Sequence, residues 1–348
     1  MNIGNKIKQL RLKSGLTQEQ LAAKLGISAQ SVSKWETEVT MPDISMLPLL
    51  SNELGVTIDE LFDLSVEQKL SRIERRLDIE EEFPDSVFHE FESFLKNQLD
   101  DHEDKRRVLS LLAGLYHHRM EADSRRVSRF AREAIRMAPE IKDCQWLLQR
   151  AEGASIWDWN IGNHSAVIDY YKSVIEGDTV TPKTPLPYYE VMDNLIADHR
   201  TAEAEKYLSE YKTLPAHKPF LVPVYEAHIA LAGYDEKRAD EIMEKAFESF
   251  GGDRGFLFES AQYYARKCDY KKAIELYEMS WTADEEQKPR YTDALQGIAV
   301  IYEILGDTEN ALATYDRMIA CIKDEWGYRD EDAAVIEAER QKKRLQGR

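Results

Sequence analysis

The stretch TQEQLAAKLGISAQSVSKWE, Thr17–Glu36, decides how the chain begins to fold. Its first half is built for packing. Leu21 and Leu25 recur at helical spacing, and Ala22 is small enough to let a second helix approach closely. Thr17 with Gln20 three residues later forms a capping box, which starts a helix. Gly26 supplies a positive-φ turn at low steric cost. Ser28 then caps a further helix, whose Val32 and Trp35 join Leu21, Leu25 and Ile27 in one core. The short polar string SAQS opens that helix and is left for presentation rather than packing.

Residues on either side extend the same pattern. A helix over about Gly4–Ser14 precedes the stretch and stops at Gly15. After it, Ser45 is a candidate cap for a helix that holds Pro48 in its first turn, where no amide partner is lost. Gly55 ends that helix, and Thr57 with Glu60 is a second capping box. Residues 1–64 thus read as one five-helix domain.

Composition bounds the rest. With 348 residues, 43% of them hydrophobic, and a mean hydropathy of -0.54, the chain has material for two or three soluble cores. No apolar run is long enough to span a bilayer and no signal-type segment opens the sequence, so a cytoplasmic location without membrane contact is expected. Cys144, Cys268 and Cys321 are odd in number and far apart, which fits neither a metal site nor a disulfide framework. The net charge of -18 argues against a chain that coats nucleic acid along its whole length. Its distribution is uneven: residues 1–35 carry Lys6, Lys8, Arg11, Lys13, Lys24 and Lys34 against Glu19 alone, whereas residues 36–63 carry seven acids and no base.

Residues 65–83 read as a linker helix. Val66, Leu70, Ile73 and Leu77 follow the 4-3-4 spacing of a heptad seam, and two readings fit: a dimer seam, or a helix packed on its own domain. From about residue 84 the sequence repeats. DYKKAIELYEMS (269–280) and DTENALATYDRM (307–318) superimpose, each with a tyrosine, Tyr264 or Tyr302, nine residues before its alanine. These copies resemble the tetratricopeptide repeat, a helix pair of about 34 residues. Fainter copies centre on Ala239, Ala204 and Ala166, a sixth is expected over 105–140, and residues 331–345 read as a capping helix. The expected fold is all-α: a five-helix head, a linker helix and an α-solenoid over 84–348.

The first 63 residues resemble the Cro/Xre-type, lambda-repressor-like helix-turn-helix regulators, through the Thr17–Glu36 stretch and the closing GVTIDELF. The resemblance implies that the third helix enters the major groove of double-stranded DNA. Carried onto this sequence, Gln18 contacts a phosphate, and Ser28, Ala29, Gln30, Ser33 and Lys34 form the exposed face of that helix. Ser31 is a further position with two readings, on that face or towards the second helix. Gln30 suits adenine, Ala29 a thymine methyl, and Lys34 guanine or phosphate. Thr37, with Thr40, is placed against the DNA backbone. Glu36, Glu38 and Asp43 stand where some relatives carry an arginine, which implies modest phosphate binding unless two copies bind together.

A helix-turn-helix head on a repeat domain is similar in architecture to the peptide-pheromone-sensing regulators of Gram-positive bacteria. That resemblance implies a homodimer and a peptide or protein effector. Repeat register places Tyr189, Asp193, His228, Gln262, Arg266, Gln296 and Glu303 on the lining of the repeat domain, with Asn194 as the alternative to Asp193. The second reading is an interaction scaffold in which the repeat domain carries the function. No phosphate loop, dinucleotide fingerprint or nucleophile elbow occurs, and adjacent His117 and His118 point apart on a helix, so neither a cofactor, a metal nor a catalytic set is expected.

Overall fold

The computed structural model describes residues 3–62, 65–99, 104–140, 142–154, 163–177, 184–283 and 288–347, and these contain helix and no strand. The chain divides into two compact units, Met1–Asp123 and Ser124–Arg348.

The first unit opens with α1 (Ile3–Lys13), α2 (Gln18–Leu25), α3 (Ala29–Glu36), a 3-10 turn (Ile44–Met46), α4 (Leu47–Leu54) and α5 (Ile58–Leu61). Ile3, Ile7, Leu21, Ala22, Leu25, Val32, Trp35, Leu50, Leu54 and Leu61 form their common core. The Thr17 capping box closes in both directions: the Thr17 side chain accepts from the Gln20 amide, and the Gln20 side chain accepts from the Thr17 amide at 2.8 Å. Ser28 caps α3, and Gly26 ends α2 with φ +68°. A glycine that the spacing did not single out sets the packing of α1. A Cβ on Gly4 would lie 2.0 Å from the Trp35 carbonyl oxygen, so only glycine lets α1 reach the end of α3.

Ser45 does not cap the helix that holds Pro48. Asp43 accepts from both the amide and the hydroxyl of Ser45 and so starts the 3-10 turn, and α4 follows directly with Pro48 in its first turn. The Glu60 side chain of the expected second capping box lies outside the described residues.

α6 (Val66–Ile79), α7 (Asp85–Gln98) and the first part of α8 (Lys105–Met137) complete this unit. Leu70 and Ile73 are buried with Phe83, Phe88, Phe91, Leu95, Val108, Leu111, Leu112 and Leu115. Of the two readings of the 4-3-4 spacing, packing within the chain is the one the fold carries out; Val66, 39% exposed, is left outside that core. The reason is local. Three apolar faces from consecutive helices bury one another without a second chain, so α6 is a core helix and the division falls after α8 begins rather than at residue 84. The expected repeat over 105–140 is also absent: α8 is one unbroken helix of 33 residues.

The second unit holds α9 (Lys142–Ala151), α10 (Ser165–Gly177), α11 (Leu186–Ala197), α12 (Thr201–Tyr211), α13 (Leu221–Ala232), α14 (Glu236–Phe250), α15 (Arg254–Arg266), α16 (Tyr270–Thr282), α17 (Asp293–Leu305), α18 (Thr308–Asp324) and α19 (Ala333–Gln346). Four helix pairs, α11–α12, α13–α14, α15–α16 and α17–α18, pack in series. Ala204, Ala239, Ala273 and Ala311 occupy the same place in the second helix of each pair, and each is fully buried. Their spacings of 35, 34 and 38 residues recur in the turns. His199, Tyr234, Cys268 and Gly306 all take positive φ, between 56° and 73°. Asp235, Asp269 and Asp307 then cap the helix that follows. Ala166 breaks the series. It is exposed on α10, whose buried contacts come from Ile168 and Ile175, so the expected copy around it lacks the close crossing.

Candidate nucleic-acid interface and effector face

On α3 the buried residues are Val32, Trp35 and Glu36. The other side carries Gln30, Ser33, Lys34 and Thr37, spaced so that they share one face of the helix. Gln30, Lys34 and Thr37 are exposed and Ser33 is half-buried. Neither the Gln30 nor the Lys34 side chain forms a hydrogen bond or ion pair with the described residues. Ser28 is occupied as the cap and shares a hydroxyl contact of 2.9 Å with Ser31, while Ala29 leans partly on the core. The Thr37 hydroxyl donates to the Ser33 carbonyl at 2.7 Å, which closes the end of the helix.

Gln18 is positioned from beneath. Its amide nitrogen donates to Glu36 Oε2 at 2.7 Å. Glu36 is itself enclosed, its side chain 1% exposed, and takes two bonds from Arg11, at 2.5 and 2.9 Å. Arg11 also donates to the Leu16 carbonyl at 2.7 Å. Burial alone would raise the Glu36 pKa, but the bonds from Arg11 and Gln18, with the charges of Arg11 and Lys8, outweigh it and hold the carboxyl below its ordinary range. One chain of contacts therefore links α1, the start of α2 and the end of α3. It also corrects the expectation that Glu36 is a loop acid opposing phosphate: its charge is spent inside the domain. Among the bases counted at this end, Arg11 is likewise paired with Glu36, and Lys24 with Glu53 at 2.7 Å.

The expected effector residues lie on the first helices of the four pairs. Tyr189 on α11 stacks on Tyr225 of α13, with ring centroids 6.3 Å apart, and its hydroxyl lies 3.4 Å from that of Tyr211. Asn194 turns its amide back onto the Glu190 carbonyl at 2.8 Å. The alternative, Asp193, is the residue coupled to this face: the Tyr225 hydroxyl bonds to it and the Arg266 charge acts on it. Water reaches Asp193, yet the neighbouring helices displace enough of it to push the carboxyl up to about 6, with Glu190 adding to the rise. His228 is pushed down to about 4 by burial, helped by the Arg266 charge, and its Nδ1 is enclosed without a hydrogen-bond partner among the described residues.

Towards the other end the face opens into two cavities. One, of about 400 Å³, is lined by Gln262 and Gln296 with Phe258, Tyr277, Val300 and Ile304. The second, of about 590 Å³, shares Gln296, Val300 and Ile304 and adds Glu303, Met318 and Arg344. Glu303 is not open there, since it accepts from the Tyr315 hydroxyl at 2.8 Å and from Arg344. Tyr225, Glu259, Val300 and Ile304 were missed by residue type alone. The alanine spacing would have found them: steps of 35, 34 and 38 carry Asp193 to His228, Gln262 and Val300, and Glu190 to Tyr225, Glu259 and Gly297, and the last step carries Arg266 to Ile304.

Residues 7–61 match the helix-turn-helix family model. Over 61 residues, or 18% of this chain, the sequence is 44% identical to the HTH-type transcriptional activator BcrR of Enterococcus faecalis, of which the match covers 30%. It is 38% identical over 61 residues, again 18% of this chain, to the HTH-type transcriptional regulator ImmR of Bacillus subtilis (strain 168), of which the match covers 48%. The chain therefore spans less than half the length of either relative. Among solved structures, Bacillus thuringiensis PlcR in complex with the peptide PapR7 and DNA aligns over 99% of this chain and 98% of that one, at 12% identity and a TM-score of 0.26. That score lies below the level at which two chains share a fold.

Proposed function

We propose that the protein is a sequence-specific DNA-binding transcriptional regulator, with residues 1–64 as the DNA-binding domain and a repeat unit that takes a peptide or protein effector. The observation that carries this reading is the polar stripe of Gln30, Ser33, Lys34 and Thr37 on the helix that follows the turn, within a segment matching the helix-turn-helix model. The stripe faces the major groove. Gln30 reads adenine, Ala29 meets a thymine methyl, Lys34 reaches guanine or phosphate, and each good base contact supplies about 1–3 kcal/mol of discrimination. Gln18 and Thr37 bond to the sugar–phosphate backbone and fix the register. The Arg11–Glu36–Gln18 chain holds Gln18 in place for that contact, while Ser28 contributes mainly as a cap.

A single head of this size with few free bases binds weakly, so two copies act together on a roughly palindromic operator, with heads about 34–36 Å apart or a multiple of that. An effector on the first-helix face of the repeats changes the operator-competent arrangement by binding one arrangement more tightly than the other. The test is selection of bound sequences from a random duplex pool, with the full chain at two salt concentrations. An inverted repeat with whole-turn spacing is expected, with enrichment weaker at the higher salt. Gln30→Ala with Lys34→Ala should abolish the enrichment while leaving the helical content unchanged. A double variant that enriches the same sequences as the parent would refute the assignment of α3.

A further inference from the structure

The first-helix face is chemically lopsided, and the register of the repeats shows how. Taking α11, α13, α15 and α17 in order, one row of positions reads Glu190, Tyr225, Glu259, Gly297; the next reads Asp193, His228, Gln262, Val300; a third reads Ala197, Ala232, Arg266, Ile304. Carboxylates gather on the α11–α15 half. Exposed aliphatic side chains gather on α17, where Val300 is 43% and Ile304 59% exposed. Both aliphatic residues line both cavities described above, and Phe258 adds an aromatic wall to the first. Gly297 has a physical reason to lack a side chain: a Cβ there would sit 2.7 Å from the Tyr277 ring, which walls the same cavity.

We propose that this face selects a short linear peptide that places a cationic group, an ammonium or a guanidinium, between Asp193 and Glu259 and lays apolar side chains into the two cavities beside Val300 and Ile304. The proposal rests on the reading that the first-helix face holds a peptide effector, and adds the chemistry of that peptide. Charge complementarity fixes the cationic half. α11 and α15 both pack on α13, and the repeat register sets Asp193 and Glu259 on the same face of these two flanking helices. Burial raises the Glu259 pKa and the Asp193 charge raises it further, so that charge is felt at Glu259. The charges of Arg266 and Lys218 act on Asp193 and Glu259 respectively, and among the described residues neither enters an ion pair with those carboxylates. A ligand cation between the two carboxylates removes that repulsion, whereas a ligand anion adds to it. His228 supports a polar ligand independently. It lies in the row between Asp193 and Gln262, and its enclosed Nδ1 is one of two buried side-chain polar atoms without a hydrogen-bond partner among the described residues. Unmet hydrogen-bonding capacity of that kind is costly in a face that has no use for it. The apolar half follows from the cavities, whose aliphatic walls bind carbon rather than charge.

The experiment is a display selection of random heptapeptides on the full-length chain, followed by anisotropy measurements with the selected peptides as labelled probes. The expected result is enrichment of peptides that pair Lys or Arg with two or more aliphatic or aromatic residues. Asp193→Asn with Glu259→Gln should weaken those probes at least tenfold and level the preference for Lys over norleucine, with thermal stability retained, because both changes remove charge at constant shape. Val300→Asp should weaken the same probes without restoring binding of acidic ones. Enriched peptides that are neutral or acidic, or an unaltered Kd in the double carboxamide variant, would overturn the cationic selectivity and leave the effector reading standing. No enrichment, or probes indifferent to Val300→Asp and to both carboxamides, would overturn the effector reading along with it.

Discussion

Replacing Arg11 by methionine tests how the helix-turn-helix end is held together. The change keeps most of the apolar length of the side chain and deletes the guanidinium. Glu36 then loses two of the three bonds that satisfy it and keeps only the one from Gln18. The Leu16 carbonyl loses its donor as well. A carboxylate that is 1% exposed cannot recover those bonds from water. Breaking one side of a buried ion pair costs about 3–5 kcal/mol, most of it the penalty for the stranded charge. Hydrogen exchange on the full chain, resolved to the amides of α1 and α3, reads this locally. Exchange there should accelerate by roughly a hundredfold or more, since each 1.4 kcal/mol is about tenfold. The double change Arg11→Met with Glu36→Leu should recover much of the loss, because no charge remains buried. The depressed Glu36 pKa sets the pH behaviour: its contribution is complete above the ordinary value of 4.5 and is lost as pH falls below it. An Arg11→Met protein whose α1 and α3 amides exchange within threefold of the parent at pH 7 would refute the argument.

Three further outcomes are expected. Gly4→Ala should destabilise the first unit by about 1–3 kcal/mol despite the better helix propensity of alanine, because backbone at 2.0 Å cannot yield as a side chain would; the exchange of α1 amides checks it. Cys268→Gly should stabilise the second unit by about 0.5–1 kcal/mol, since a non-glycine residue at φ 60° carries a steric cost that the equivalent Gly306 does not; a lower thermal midpoint would contradict this. Glu325, held down to about 2 by hydrogen bonds from the Arg290 side chain and amide, should contribute stability above pH 4.5 that disappears as pH falls towards 2. The parent's thermal midpoint should therefore fall more steeply between pH 5 and 3 than that of Glu325→Gln, and equal slopes would count against it.

Short-range patterns carried much of the fold because their physics is short-range. A capping box needs only residues three apart, so Thr17 and Gln20 were legible, and so was the turn at Gly26. The repeat alanines were legible because a close helix crossing tolerates little else, and four of the five named are fully buried. The polar stripe on α3 followed from the period of the helix once Val32 and Trp35 were placed in the core. What the chain order could not decide was which partner each face would find. Leu70 and Ile73 satisfy a heptad whether the neighbour is a second chain or α7 and α8, and only their burial with Phe88, Phe91 and Leu115 settles it. Ala166 looks like its four counterparts until its exposure shows that no helix crosses there. Glu36 reads as a loop acid until Arg11, twenty-five residues earlier, is found against it. Gly4 gives no local signal at all, because its constraint is a carbonyl thirty-one residues away. The sequence by itself determined most of the helices, several of their caps and the polar stripe on α3, since those depend on neighbours along the chain. The tertiary structure decided which charges are consumed, which apolar faces are already covered, and that carboxylates and aliphatic cavities share one face, since those depend on what distant segments bring to the same place.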